Sequence, residues 1–243
     1  MAAALHESWN MHILSLDTTT DVSSIAVTNS GVLLAEYNFS HHMDLSRRLM
    51  PGIIHILKDC SLELEDLDAI GVSIGPGSFT GIRIGVVTAK TLAQTLGIPA
   101  AGVVSLDILA HAFGYLPGAV ICPIIKVRKG EVYYAFYKAK KGTVERITEY
   151  GALPVSDLAQ EAEKINGKTI IFCGDALETA GPELEDALCG RAVFAPAWLS
   201  YPQASVLSKI AREELLSGRA GDIRSVAPYY IRKSAPEARL ECK

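Results

Sequence analysis

The segment GPGSFTGIRIGVVTAKTLAQTLGIP, residues 75–99, constrains the fold more than any other part of the chain. It follows an apolar, strand-like run, Ala69-Ile-Gly-Val-Ser-Ile74, and passes through a glycine-rich turn into a helix whose start carries the capping residues Ser78 and Thr80. Strand, turn and helix form one unit. Gly75, Gly77 and Gly81 can take backbone angles closed to other residues and let a ligand or another stretch of chain come close. Free amides at such a helix start attract anions. No GK[ST] follows, so this is no P-loop, and the GxGxxxG spacing misses the dinucleotide fingerprint by one residue. Nor is Ser78 a nucleophile elbow, since Pro76 and Thr80 stand where G-x-S-x-G needs glycine. The local pattern favours a plain tight turn over an anion site.

The helix after the turn has little polar face. At about 100° per residue, Arg83, Lys90 and Gln94 share one narrow strip, while Val86, Val87, Ala89, Leu92, Ala93 and Leu96 spread around the remainder. Gly81, Gly85, Ala89 and Ala93 recur every four residues, a stripe of small side chains along which another helix can lie close. Two arrangements fit: a helix wedged between two layers of its own domain, or a subunit interface.

Upstream, His12–Asp17, Val22–Thr28 and Val32–Phe39 read as strands separated by the polar turns Thr18–Asp21 and Asn29-Ser-Gly31, an antiparallel meander. Residues 44–59 then turn helical. Leu45, Leu49, Met50, Ile53, Ile54, Ile56 and Leu57 cover about half the circumference, more than docking on one sheet requires, and Pro51 inside predicts a kink. After strand 69–74 and its helix come a strand at Ala100–Val104 and a helix from Ser105. A meander feeding parallel crossovers is the ribonuclease-H-like order of the actin, sugar-kinase and Hsp70 superfamily.

A second half begins near Gly114. Strands 119–127 and 131–138 predict a hairpin over Arg128-Lys-Gly130, and a third run spans 144–150. Helices near 155–165, 175–188 and 203–217 alternate with strands 169–173 and 192–195, repeating the first half's plan. The expected fold is α/β, actin-like and two-lobed, with mixed sheets and helices on both faces. Residues 1–10 form a flexible extension, 11–113 an N-terminal lobe and 114–243 a C-terminal lobe. The tail 227–237, with two prolines, reads as an extended strap.

The actin-like superfamily carries its chemistry on phosphate-holding turns. Its kinases and ATPases end the first strand on an acidic residue and hold phosphate on a glycine-containing turn. Asp17 is in place, but Thr18-Thr-Thr-Asp21 has no glycine. Asp17, Thr18 and Thr19 with Gly75, Gly77 and Ser78 are thus at most vestigial phosphate loops, and Gly174-Asp175 is a fragment of the second one. His41 and His42 are adjacent and read as a solvated loop, and no H-x-x-x-H or H-E-x-x-H occurs, so no metal site is expected.

Net charge is −4, which argues against unaided binding of nucleic acid. Five widely spaced cysteines without C-x-x-C predict reduced thiols in a cytoplasm. No run of about 18 apolar residues exists to span a membrane, and Met1–Leu5 lacks the basic region of a signal peptide.

GPGSFTGIRIGVVTAKTLA (75–93), with LDTTTDVSSIAV (16–27), LDAIGVSI (67–74) and GIPAAGVVSLDILA (97–110), closely resembles the TsaB (YeaZ) family. GEVYYAFY (130–137) and PYYIRKSAPE (228–237) look like its second-half signatures. The resemblance implies a non-catalytic subunit of the bacterial machinery that makes threonylcarbamoyladenosine beside the tRNA anticodon, with no cofactor, metal or catalytic residue of its own. It implies pairing with the catalytic subunit TsaD, or with itself when isolated, and joining by the ATPase TsaE, with tRNA contacted through the complex. The family pairs through the two helices matching residues 44–59 and 80–96. The expected interface is Leu49, Met50, Ile53, Ile54, Leu57, Ile82, Gly85, Val86, Ala89, Lys90 and Ala93.

Two departures from the family pattern fit a scaffold better than an enzyme: Leu45 replaces a frequent His, and Lys126-Val-Arg128 replaces a frequent DAR. The rival expectations are an ATP-dependent small-molecule kinase or ATPase of the actin-like superfamily and a glycoprotease-like metallopeptidase.

Overall fold

A computed structural model describes residues 10–40, 44–128, 130–165 and 169–232. The expected extension before residue 10, the His41-His42 loop and the tail beyond Arg232 lie outside the described residues. Strands β1 (His12–Asp17), β2 (Val22–Asn29) and β3 (Val32–Ser40) form the predicted meander. Helix α1 (Leu45–Asp59) leads to β4 (Ala69–Gly75), α2 (Phe79–Leu96), β5 (Ala100–Val104) and α3 (Ser105–His111). The sheet order is β3-β2-β1-β4-β5, with β1, β4 and β5 parallel.

Period-two alternation decides what covers this sheet. Leu14, Leu16, Ile70 and Val72 point to the face carrying α1 and α2 and share one core with Leu49, Ile53, Ile82 and Val86. α1 runs unbroken through Pro51, which removes only the bond to the Arg47 carbonyl near the exposed helix start.

The second half contributes β6 (Val120–Arg128), β7 (Glu131–Tyr134), β8 (Tyr137–Lys140), β9 (Thr143–Arg146), β10 (Gly151–Pro154), α4 (Val155–Lys164), β11 (Ile170–Cys173), α5 (Leu177–Leu188) and β12 (Ala192–Phe194). They build a sheet ordered β10-β7-β6-β11-β12, with β8 also on β6 and β9 on β8. The single strand expected over 131–138 is two. The Phe136 N–H donates to the Thr148 hydroxyl at 2.9 Å and its carbonyl accepts from Ile147 at 2.8 Å, which takes residue 136 out of the ladder. β10 then pairs with β7, a strand the sequence reading lacked.

The last helix, α6 (Ala204–Leu216), does not repeat the first half's plan within the second. It returns to the first sheet and covers its small, polar face, where Ser15 and Ser73 are buried and Thr28 bonds Ser208. Its N-terminus is capped from that sheet. The Glu36 carboxylate accepts the Ser205 N–H at 2.9 Å and the Ser24 hydroxyl accepts the Ala204 N–H at 2.9 Å.

Candidate functional site

The turn after β1 is packed onto the start of α2. The Ser78 Oγ accepts the Gly81 N–H at 3.2 Å as an N-cap, while the Ser78 N–H donates to the Thr19 carbonyl at 2.7 Å. The Thr18 hydroxyl donates to the Gly81 carbonyl at 2.8 Å. A Cβ on Gly77, Gly81 or Gly85 would collide with Thr19 or Thr18. Gly75 and Gly77 also have φ of 108° and 153°, where a side chain is strained. Gly77 and half of the small-residue stripe, Gly81 and Gly85, therefore admit the chain's own turn, while Gly75 admits Ile82 and the Tyr229 carbonyl. The Ser78 amide that would face an anion faces Thr19, so the tight-turn reading describes this place.

Asp17, Thr18, Thr19, Gly75, Gly77 and Ser78 do meet here, as the sequence placed them. Asp17 is fully buried and accepts the Thr19 N–H at 3.1 Å and the Thr19 hydroxyl at 3.0 Å. Burial pushes its carboxyl up to about 6, against the pull of Ser73, whose nearby hydroxyl makes no full hydrogen bond, and of Thr19; Asp175 adds to the push.

Asp175 follows β11, the second-sheet strand that corresponds to β4, and there a cleft of about 600 Å³ is open. The Lys126 N–H donates to Asp175 Oδ1 at 2.9 Å, and the Lys126 ammonium lies 3.5 Å from Glu178. Burial pushes the Asp175 carboxyl up to about 6, against the Lys126 hydrogen bond and charge, with the Asp21 charge acting in the same sense as burial. Thr20, Asp21 and Val22 form one wall and Leu177, Pro182 and Phe194 the other. Lys126 and Asp175 were each noted in the sequence; their meeting was not, because β6 and β11 pair across nearly fifty residues. Among the described residues, no three His, Cys, Asp or Glu side chains gather where a metal ion could be held. Cys60, Cys122, Cys173 and Cys189 are free thiols.

Most of the residues expected at an interface lie in the chain's own core. Leu49, Ile53, Leu57, Ile82, Gly85, Val86, Ala89 and Ala93 are buried there. Lys90 is half-buried, its ammonium on the Val226 carbonyl at 3.0 Å. α1 fits the corner between the sheet and α2, and residues 223–230 cover part of α2. Met50 and Ile54 on α1 reach the surface, as do Val87 on α2 and Val32, Leu33 and Leu34 on the edge strand β3. The edge strand was not singled out in the sequence, although its unalternating Val-Leu-Leu run was the available signal.

A family model described as "TsaD: tRNA N6-adenosine threonylcarbamoyltransferase" matches residues 38–238. The tRNA threonylcarbamoyladenosine biosynthesis protein TsaB of Bacillus subtilis (strain 168) is 33% identical over 229 residues, 94% of this chain and 97% of that protein. A crystal structure of an uncharacterized protein with similarity to peptidase YEAZ from Pseudomonas aeruginosa superposes with a TM-score of 0.76 at 26% identity, covering 91% of this chain and 100% of that one. The ROK hexokinase of Thermus thermophilus shares the fold alone, with a TM-score of 0.51 at 12% identity over 84% of this chain and 100% of that one.

Proposed function

This chain belongs to the TsaB family of tRNA threonylcarbamoyladenosine biosynthesis proteins, and we propose that it acts as a non-catalytic subunit that binds TsaD and supports threonylcarbamoyl transfer to the adenosine next to the tRNA anticodon. The observation that supports the non-catalytic part is the turn after β1: Thr18-Thr-Thr-Asp21 has no glycine and is tied to the start of α2, its Thr19 carbonyl accepting the Ser78 N–H and its Thr18 hydroxyl donating to the Gly81 carbonyl. A kinase of this superfamily needs glycine in that turn so that its backbone can approach phosphate.

The docking surface centres on Met50, Ile54 and Lys90, with Val87 beside Lys90's helix turn. Leu49, Ile53, Leu57, Ile82, Gly85, Val86, Ala89 and Ala93 act from beneath by fixing the two helices on the sheet. The chain pairs with itself when isolated, TsaE joins the pair with TsaD, and tRNA is met through that assembly in the cytoplasm. The proposed lobes are 11–113 and 114–243; the separate sheets support the division, while α6 packs on the first sheet. Among the described residues no helix is long and apolar enough to cross a membrane.

Co-expression with TsaD, followed by a tRNA threonylcarbamoylation assay with and without this chain, tests the reading. Product is expected only when both chains are present. The family model's description favours a transferase instead, and product formed by this chain without TsaD would establish that. Ile54→Glu should leave the chain folded, since the site is exposed, and abolish co-purification with TsaD. Unchanged pairing would remove α1 from the interface.

A further inference from the structure

Helix α3 connects the two sheets and is packed from both sides. Leu106, Leu109, Ala110 and Phe113 join the core under the second sheet, while Ile108 joins the cluster of α6 on the first. Its one carboxylate is then tied to the second half. The Tyr137 hydroxyl donates to Asp107 Oδ1 at 2.7 Å, and the Tyr150 hydroxyl lies 2.9 and 2.8 Å from the two Asp107 oxygens. Tyr137 is 1% exposed, and the Arg146 guanidinium lies over the Tyr150 ring at 4.0 Å.

The strap at residues 226–232 closes the same seam from the other side. The Tyr229 N–H donates to the Ile74 carbonyl of the first sheet at 2.8 Å, and its ring meets Tyr150 edge-on at 5.6 Å. Tyr230 stacks on Phe79 at 4.2 Å, and Arg232 reaches Glu131 of the second sheet at 2.6 Å. Two of the three covalent crossings between the halves, α3 and the strap, thus converge on Tyr150; the third, residues 195–203 between β12 and α6, ends at the α6 N-terminus held by Ser24 and Glu36.

We infer that Asp107, Tyr137, Tyr150 and Tyr229 form a clasp that holds the two halves at one fixed opening, so that the cleft beside Asp175 keeps its width instead of closing as a hinge. A hinge motion needs a few free backbone positions where the chain crosses; here α3 and the strap are pinned by part-buried hydrogen bonds and ring contacts, and the crossing at 195–203 is anchored where α6 begins. The clasp does not depend on which partner the chain meets.

Nitroxide labels on Cys60 of the first half and Cys189 of the second, with Cys242→Ser, read the opening by pulsed electron resonance. The unmodified clasp should give one narrow distance distribution, unchanged by Mg-ATP. Asp107→Ala should broaden it at least about twofold, as expected once a rigid interface becomes a hinge. Tyr150→Phe removes the hydroxyl and keeps the ring, so it serves where Asp107→Ala fails to fold, and should broaden the distribution in the same direction. A broad or two-peaked distribution in the parent chain would overturn the clasp. So would a Tyr150→Phe variant whose melting temperature falls while its distribution stays as narrow as the parent's, since the tie would then be only stabilising.

Discussion

Asp17 ends the central strand β1 of the first sheet and Asp175 lies just past β11 of the second, and burial pushes both carboxyls up to about 6. Their surroundings differ. Asp17 is sealed beneath its own turn, and that turn fills the start of α2 through Thr18 and Thr19. Asp175 borders a cleft of about 600 Å³ with Lys126 and Asp21 nearby. A buried acid at a strand end thus serves packing in one half and borders an open cleft in the other. An acidic residue in the superfamily position therefore says nothing about chemistry until the space in front of it is known.

The sharpest way to break this comparison is to contest the space itself. Gly81→Ala places a methyl against the Thr18 carbonyl, and relief requires moving the turn. A loss of about 3 kcal/mol or more is expected in denaturant unfolding. A loss below about 1 kcal/mol would mean the turn is loosely seated and the phosphate position can open.

The next effect separates the two acids by pH. Asp17 titrates higher in the folded chain than in the unfolded one, so its favourable contribution is complete below about pH 4 and is lost as pH rises through about 6. Asp17→Asn should therefore gain on the parent chain by about 3 kcal/mol between pH 4 and pH 8. Asp175→Asn should follow the same sign with a smaller gain, because the cleft admits water. Equal gains would erase the distinction between a sealed and an open acid.

The smallest effect sharpens the electrostatic contrast. Lys126→Met keeps the backbone N–H on Asp175 and deletes the ammonium that holds its carboxyl down. Carboxyl chemical shifts should show Asp175 titrating higher than in the parent chain and a smaller change at Asp17, which feels the Asp175 charge only weakly. A matching rise at Asp17 would place both acids in one site.

The first sheet was legible because its rules are local. The turns after Asp17 and Asn29 end β1 and β2 where polar residues interrupt the runs, and Ser78 and Gly97 mark both ends of α2. What escaped were partners distant in sequence. Ser15 and Ser73 alternate with apolar residues, the pattern of a sheet with one face open to water, yet α6, which begins at Ala204, buries them. The same blindness inflated the interface. The broad apolar arcs of α1 and α2 read as surplus because the corner between sheet, helix and strap that absorbs Leu49, Ile53, Val86 and Ala89 is invisible in either helix alone. Met50 and Ile54, indistinguishable from those neighbours by type, are what the corner leaves uncovered.

Titration calorimetry of the isolated chain with Mg-ATP tests the central claim most directly. With Thr18 and Thr19 seated on Gly77, Gly81 and Gly85, no heat of binding and no turnover are expected at millimolar nucleotide, on the order of usual substrate levels. Saturable binding that disappears in Asp17→Asn would show that the turn yields to phosphate and that this half of the molecule is a working nucleotide site.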